Sequence, residues 1–176
     1  MFVDLIVVGG GAAGFFAAIT CAENSGKSVL ILEKTAQLLQ KVKISGGGRC
    51  NVTHDCFEPR ELSRNYPRGE KSLIGPLHRF GAADTVDWFA GRGVTLKTEA
   101  DGRMFPDTDS SQTIVDTLLG AADAAGVGIH TSEGVTSIVK NEDIFELETD
   151  TGRSYTAANV LIATGGTRLA AGAKLA

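Results

Sequence analysis

The residues best placed to do chemistry are the glycines of Val7-Val8-Gly9-Gly10-Gly11-Ala12-Ala13-Gly14, together with Glu33. An apolar run, Phe2 to Val8, leads into the glycines, and a small-residue run that reads as a helix follows them. A second apolar run, Ser28 to Leu32, ends at Glu33, which stands 24 residues after Gly9. Strand, glycine turn, helix, strand and acid form, in that order, the signature of a dinucleotide-binding βαβ unit. Gly9 lets the chain turn tightly, Gly11 lets the backbone approach a pyrophosphate, and Gly14 lets the helix pack against the strand. The helix N-terminus offers free N–H groups and a partial positive charge to phosphates. Glu33, followed by Lys34, is placed to accept hydrogen bonds from ribose hydroxyls. The motif alone leaves FAD, NAD and NADP open. The competing reading, a glycine-rich turn in some other α/β protein, explains neither the flanking strand and helix nor the spacing to the acid.

A second informative stretch is Lys41-Val42-Lys43-Ile44-Ser45-Gly46-Gly47-Gly48-Arg49-Cys50-Asn51. Three consecutive glycines disfavour a stable helix or a strand interior. They predict a loop with exposed amides. Lys41, Lys43 and Arg49 bring positive charge to one place in an acidic chain, which suits a second anionic contact or a ring edge more than a bare surface loop.

Composition bounds the function. The 176 residues suit one domain, and 43% are apolar, enough for a core. The net charge of −4 argues against a nucleic-acid footprint. No apolar run reaches the about 18–20 residues of a membrane span. Met1-Phe2-Val3-Asp4 lacks the basic start of a signal peptide, so the expected location is cytoplasmic. Cys21, Cys50 and Cys56 do not make a secreted disulfide framework. His54, His78 and His130 sit at no metal-ligand spacing, so no metal site is expected.

The elements that must position these residues follow from periodicity. Residues 3–8 read as a strand buried on both faces. Residues 12–25 read as a helix with Phe15, Phe16, Ile19 and Ala22 on its apolar stripe. Residues 28–33 form the next strand. Residues 57–93 look helical but broken at Gly75-Pro76 and Gly81, with Asp84 a candidate cap. Residues 94–99 alternate as a strand, and Gly102 to Pro106 make a turn and a short edge segment. Asp109 or Ser110 caps a helix to about Ala125, with Ile114, Val115, Leu118 and Leu119 on one face. Strands at 127–130, 134–140, 143–149 and 154–155 carry hairpin signals, and Asn159 to Ala163 reads as a buried strand before Thr164-Gly165-Gly166. An NAD-only domain would continue β–α–β–α. The meander instead favours the α/β, Rossmann-like FAD/NAD(P)-binding fold of the two-dinucleotide-binding-domain type.

With these motifs in order, the chain resembles the BaiN-like, or aminoacetone oxidase, family of NAD(P)/FAD-dependent oxidoreductases. The resemblance rests on Val8 to Gly14, on Lys43-Ile44-Ser45-Gly46-Gly47-Gly48-Arg49-Cys50-Asn51-Val52-Thr53, on Gly102-Arg103-Met104-Phe105-Pro106, and on Ala163-Thr164-Gly165-Gly166. It implies FAD, with Gly9, Gly10, Gly11, Ala12, Ala13 and Gly14 on the pyrophosphate and Glu33 on the adenosine ribose. It places Ser45, Gly46, Gly47, Gly48, Arg49, Cys50 and Asn51 along the ribityl and pyrophosphate side of the flavin. The backbone of Val135 falls near the adenine, and Thr164, Gly165 and Gly166 return to the pyrophosphate. NAD(P)H is the implied electron donor and a small molecule the substrate. The catalytic residues are not named by the sequence; Arg49 and Cys50 are candidates for the flavin's surroundings on position alone.

The family's proteins are much longer. Residues 1–176 are therefore expected to be the N-terminal part of the FAD-binding domain, without the substrate or cap domain and the final FAD-binding segment. Thr167 to Gly172 also lack the commoner Gly-Ser-Thr-Gly-Asp-Gly form. Two other readings stand beside the oxidoreductase. One is a pyridine nucleotide–disulfide reductase using Cys50 and Cys56, although five residues separate them instead of four. The other is an inactive FAD-binding module or truncated gene product.

Overall fold

A computed structural model describes residues 1–166 of the chain. In chain order the elements begin β1 (Phe2–Val8), α1 (Ala12–Ser25), β2 (Val29–Leu32), α2 (Gln40–Ile44) and a 3-10 turn, Ser45–Gly48. Then come β3 (Thr53–His54), α3 (Pro59–Ser63), α4 (Glu70–Arg79), α5 (Ala82–Ala90), β4 (Leu96–Thr98), β5 (Arg103–Pro106) and α6 (Ser111–Ala124). The last four are β6 (Gly128–His130), β7 (Val135–Asn141), β8 (Ile144–Thr149) and β9 (Ser154–Ile162). The chain divides into two compact units, Met1–Val42 with the chain from Leu118, and Lys43–Thr117.

The first unit is a six-stranded sheet in the order β6-β2-β1-β9-β8-β7. Strands β6, β2, β1 and β9 are parallel neighbours, and β9, β8 and β7 are antiparallel. Central parallel strands read as continuous apolar runs because both faces are covered. Ile6 and Val7 on β1 and Ile31 on β2 are accordingly fully buried. Each such side chain contributes about 1.5–3 kcal/mol on burial. That exceeds the roughly 1 kcal/mol spread of strand propensities, so burial decides these strands. Helix α1 packs on β1 and β2 through Phe15, Ala18 and Ile19, which recur at helical spacing. It ends at Gly26, left-handed with φ 63°, whose N–H bonds Ala22 O. One core cluster joins Ile6, Val8, Leu30 and Leu32 to Leu147, Tyr155 and Ala157 of the meander.

The second unit carries a three-stranded antiparallel sheet in the order β3-β5-β4. Helix α5 packs on β3 and β4, and α3 packs on α4.

Several expectations change. Residues 154–155 and 159–163 are not separate strands; β9 runs through from Ser154 to Ile162. Its end is not buried either, since Leu161 and Ile162 are 37% and 44% exposed. Segment Arg103–Pro106 is the central strand of its sheet, not an edge. Helix α4 continues through Gly75-Pro76, whose exposed position lets water take the place of the lost hydrogen bond. Asp84 does not cap α5 from the N-cap position, which Gly81 holds; it sits at N3 and accepts the Gly81 N–H at 2.7 Å. Short helix α2 occupies the start of the Lys41–Asn51 stretch, ahead of its glycines. Among the described residues no helix is long and apolar enough to cross a membrane, and no group of His, Cys, Asp or Glu could hold a metal ion.

The start of β1 is tied to the turn before β2 by a carboxylate. Asp4 accepts from Ser28 Oγ at 2.6 Å, Ser28 N–H at 2.9 Å and Lys27 Nζ at 3.2 Å. The Ser28 hydroxyl and N–H, with Lys27, lower its pKa from 3.8 to about 2. A depressed acid stabilises the fold above its unfolded pKa and loses that contribution as pH falls through the folded value. Acid titration of stability should show a component lost between about 4 and about 2 that Asp4→Asn removes. Identical acid profiles for the two proteins would contradict it.

Candidate functional site

The glycine turn is shaped by three different constraints. Gly9 has φ +116°, and a Cβ there would lie 2.6 Å from Ala163 O. A Cβ on Gly14 would stand 2.0 Å from Gly9 O, so only glycine lets α1 come this close to the end of β1. A Cβ on Gly11 would meet nothing within 4 Å. Gly11 is the N-cap of α1 and has no side chain to cap with. The first helical bond runs from Phe15 N–H to Gly11 O at 3.0 Å. The N–H groups of Ala12, Ala13 and Gly14 are the orphan donors of the first turn, at the positive end of the helix.

Glu33 lies against this turn. Its Oε2 accepts the Gly10 N–H at 2.7 Å, and its Oε1 accepts from Thr35 N–H at 2.8 Å and Thr35 Oγ1 at 2.9 Å. A carboxylate has about four lone-pair sites, so acceptor capacity is left for ribose hydroxyls. Lys34 is exposed. Val135 begins β7, just after a segment tied to Glu33 by the backbone. Glu33 N–H bonds His130 O, and Glu133 N–H bonds Glu33 O, each at 2.9 Å. Thr164, Gly165 and Gly166 are exposed just beyond β9, where Ala163 N–H bonds Val8 O at 2.8 Å. The structure thus brings Gly9–Gly14, Glu33 and the Thr164–Gly166 segment to the C-terminal end of the parallel strands, and ties the residues just before Val135 to Glu33. The expectation about Thr167 to Gly172 falls outside the described residues.

Sequence reasoning missed what fixes the segment before Val135. Glu133 is 2% exposed, and its carboxylate accepts from Thr151 Oγ1 at 3.0 Å and Arg153 at 2.6 Å. Burial pushes its pKa up, but the Thr149 and Thr151 hydroxyls and Arg153 outweigh that and hold it below the usual carboxylate range. Gly134 N–H bonds Asp150 Oδ1 at 2.9 Å, and His130 Nδ1 meets Tyr155 Oη at 2.9 Å. Glu133-Gly134 reads in the sequence only as a turn, because its partners lie across a hairpin.

Ser45 to Asn51 belong to the second unit. Gly46, Gly47 and Gly48 have φ of 56°, 69° and 87°, and Cys50 also sits left-handed at 63°. The turn closes through Cys50 N–H to Ser45 O at 3.0 Å. A Cβ on Gly46 would lie 2.8 Å from both Asn51 N and a Phe105 ring carbon. With its amide oriented to donate, Asn51 reaches Thr53 O at 2.9 Å and Met104 O at 3.3 Å. Arg49 is not a free cation. Its guanidinium stacks 4.1 Å from the Phe105 ring centroid and bonds Glu99 and Asp109. The Glu99 hydrogen bond holds it firmly charged. Its charge is therefore matched within this unit.

A dinucleotide turn at the end of a parallel strand, followed by an antiparallel meander, defines a Rossmann-like α/β fold of the FAD-binding type. The chain belongs to the HI0933-like protein Rossmann-domain family, whose model matches residues 3–174. It is 33% identical over 163 residues to a ribosomal RNA dihydrouridine synthase of Escherichia coli, a match over 93% of this chain and 39% of that protein. It is 29% identical over 161 residues to a 3-dehydro-bile acid delta(4,6)-reductase of Clostridium scindens, covering 91% of this chain and 38% of that one. The chain thus spans under half the length of these relatives. Among solved structures, a 3-ketosteroid-delta4-(5alpha)-dehydrogenase from Rhodococcus jostii matches 94% of this chain and 46% of its own, with TM-score 0.69 and 17% identity. The open conformation of a flavocytochrome c3 fumarate reductase matches 94% of this chain and 34% of its own, with TM-score 0.69 and 23% identity. Both likenesses are of fold.

The two cysteines of the disulfide-reductase reading are free thiols. Cys50 is buried, and burial pushes its pKa up, partly offset by a Ser45 hydrogen bond. A redox cysteine needs the opposite, a stabilised thiolate. Mild oxidation should leave the thiol titre unchanged, and native alkylation should label Cys50 more slowly than Cys56. Loss of a matched pair of thiols would restore the disulfide reading.

Proposed function

We propose that this chain is the N-terminal, FAD-binding part of an FAD-dependent oxidoreductase. The observation that carries the reading is the turn itself. Two of its glycines admit no side chain because backbone fills the space, while at Gly11 nothing stands within 4 Å of a Cβ position, so this glycine faces open space beside orphan helix N–H donors. Such a cradle suits a diphosphate. Glu33, fixed by Gly10 and Thr35, would accept the adenosine ribose hydroxyls, with Lys34 beside it. The backbone at Val135 would lie beside the adenine. Thr164, Gly165 and Gly166 would line the diphosphate, and Ser45 to Asn51 would line the ribityl side of the flavin. Arg49 would serve there by shaping the loop, since Glu99 and Asp109 already match its charge.

When bound, FAD would supply two-electron chemistry, accepting hydride from NAD(P)H and passing electrons to a small organic acceptor or to oxygen. The names of two relatives, a dihydrouridine synthase and a reductase, support a reductive direction. The chain's own part is to hold the dinucleotide by backbone amides and one fixed acid. We place the protein in the cytoplasm, acting on a small molecule.

Two substitutions separate this reading from a purely structural turn. Gly11→Val puts its side chain into open space, so the fold should lose only the about 1 kcal/mol of a poorer N-cap while FAD titration, followed by flavin absorbance, loses binding. Gly14→Ala drives a methyl into Gly9 O and should destabilise the fold by about 1–3 kcal/mol. Unchanged FAD affinity in Gly11→Val, or no binding by the parent chain at micromolar FAD, would overturn the proposal.

A further inference from the structure

Lys41 stands beside Gly165, and among the described residues no acid pairs with it. It lies on α2, and the start of that helix is pinned to the turn. Leu39 N–H bonds Gly10 O at 2.9 Å, and Leu38 Cδ2 is 2.7 Å from where a Gly10 Cβ would be. Leu39 is 1% exposed and left-handed at φ 55°, a conformation that side chains hold only when their surroundings fix it. The Lys41 ammonium reaches the Gly165 backbone. Its Nζ is 3.1 Å from the position of a Cβ on Gly165. Gly165 in turn follows Ala163, whose carbonyl covers Gly9. All of these residues belong to the first unit.

The electrostatics of this corner are one-sided. The orphan N–H groups of α1 carry the positive end of the helix dipole. Lys41 Nζ has no ion pair or hydrogen bond among the described residues. Glu33, the acid of the turn, is engaged by Gly10 and Thr35. Lys41 is exposed, and an anion placed between it and the positive helix end is attracted by both.

We propose that Lys41 is a binding residue for the diphosphate of the bound dinucleotide, adding its ammonium to the α1 amides. This rests on the FAD reading above and adds a side-chain cation to a site otherwise made of backbone. Ammonium groups bind phosphate as point charges, so the contact is salt-sensitive and Arg can partly replace Lys. Lys43 and Arg49 belong to the second unit, where Glu99 and Asp109 match the Arg49 charge.

The test is FAD titration of the parent chain, Lys41→Gln, Lys41→Arg and the charge-matched control Lys140→Gln, at low and high salt. Lys140 sits in the meander over Phe145, away from the turn. Lys41→Gln should weaken FAD binding about tenfold at low salt, the size of one charge-assisted hydrogen bond, and flatten the salt dependence. Lys41→Arg should recover most of the loss, and Lys140→Gln should bind as the parent does. If the parent binds FAD and Lys41→Gln matches it, the lysine assignment fails and the FAD reading stands. Equal weakening by Lys140→Gln would reduce the effect to net charge and overturn the assignment. No FAD binding by the parent would remove both.

Discussion

The site depends on a contact that no side chain could make. The Gly9 carbonyl occupies the space where any other residue at position 14 would place its Cβ. That approach sets the angle at which α1 leaves β1, and therefore where its unpaired N–H groups point. The same peptide is covered from the other side by Ala163 at the end of β9. One residue-thick turn is thus held between a helix and a strand that lie far apart in the chain. Its rigidity comes from backbone packing, which leaves the side-chain-free face at Gly11 open for a ligand.

The second glycine cluster is built on a different principle. Residues Gly46 to Gly48 are left-handed in succession, and Cys50 joins them without glycine's freedom. What holds this conformation is β5. Phe105 lies under Gly46 and Arg49, Met104 O receives the Val52 N–H at 2.9 Å, and Gly102 O receives the Asp55 N–H at 2.9 Å. Gly102 itself admits no Cβ, because the His54 ring would lie 2.3 Å away. The two stretches that mark the family, Lys43 to Thr53 and Gly102 to Pro106, are two halves of one small structure. Their separation in sequence hides that.

Much of the first unit was legible because its rules are local. Apolar runs, one glycine spacing and one acid identify β1, α1 and β2, and the helix bounds agree with the reading over 12–25. The second unit was less legible because its decisive contacts are long-range. Arg49 reads as free charge beside glycines, yet its partners stand at Glu99 and Asp109. Glycine-proline reads as a helix break, yet α4 passes through it where the backbone is exposed. Segment Arg103–Pro106 ends in proline and reads as an edge, yet it has a neighbour on each side. Glu133 was invisible as a buried, paired acid because a turn residue gives no hint of burial.

Strand β9 works as a ruler. On one side it is registered against β1, with Val8 opposite Ile162, and on the other against β8, with Phe145 opposite Ala157. The length of the Asp150–Arg153 turn therefore determines which residues of the chain arrive over Gly9. Adding or removing one residue there would exchange the faces of the strand and deliver a different peptide to the glycine corner. The turn between β7 and β8 carries no such duty, since β7 is the outer strand of the sheet. Two hairpins of similar appearance thus differ in how freely their lengths can drift: one is a hinge for insertions, the other a calibrated spacer.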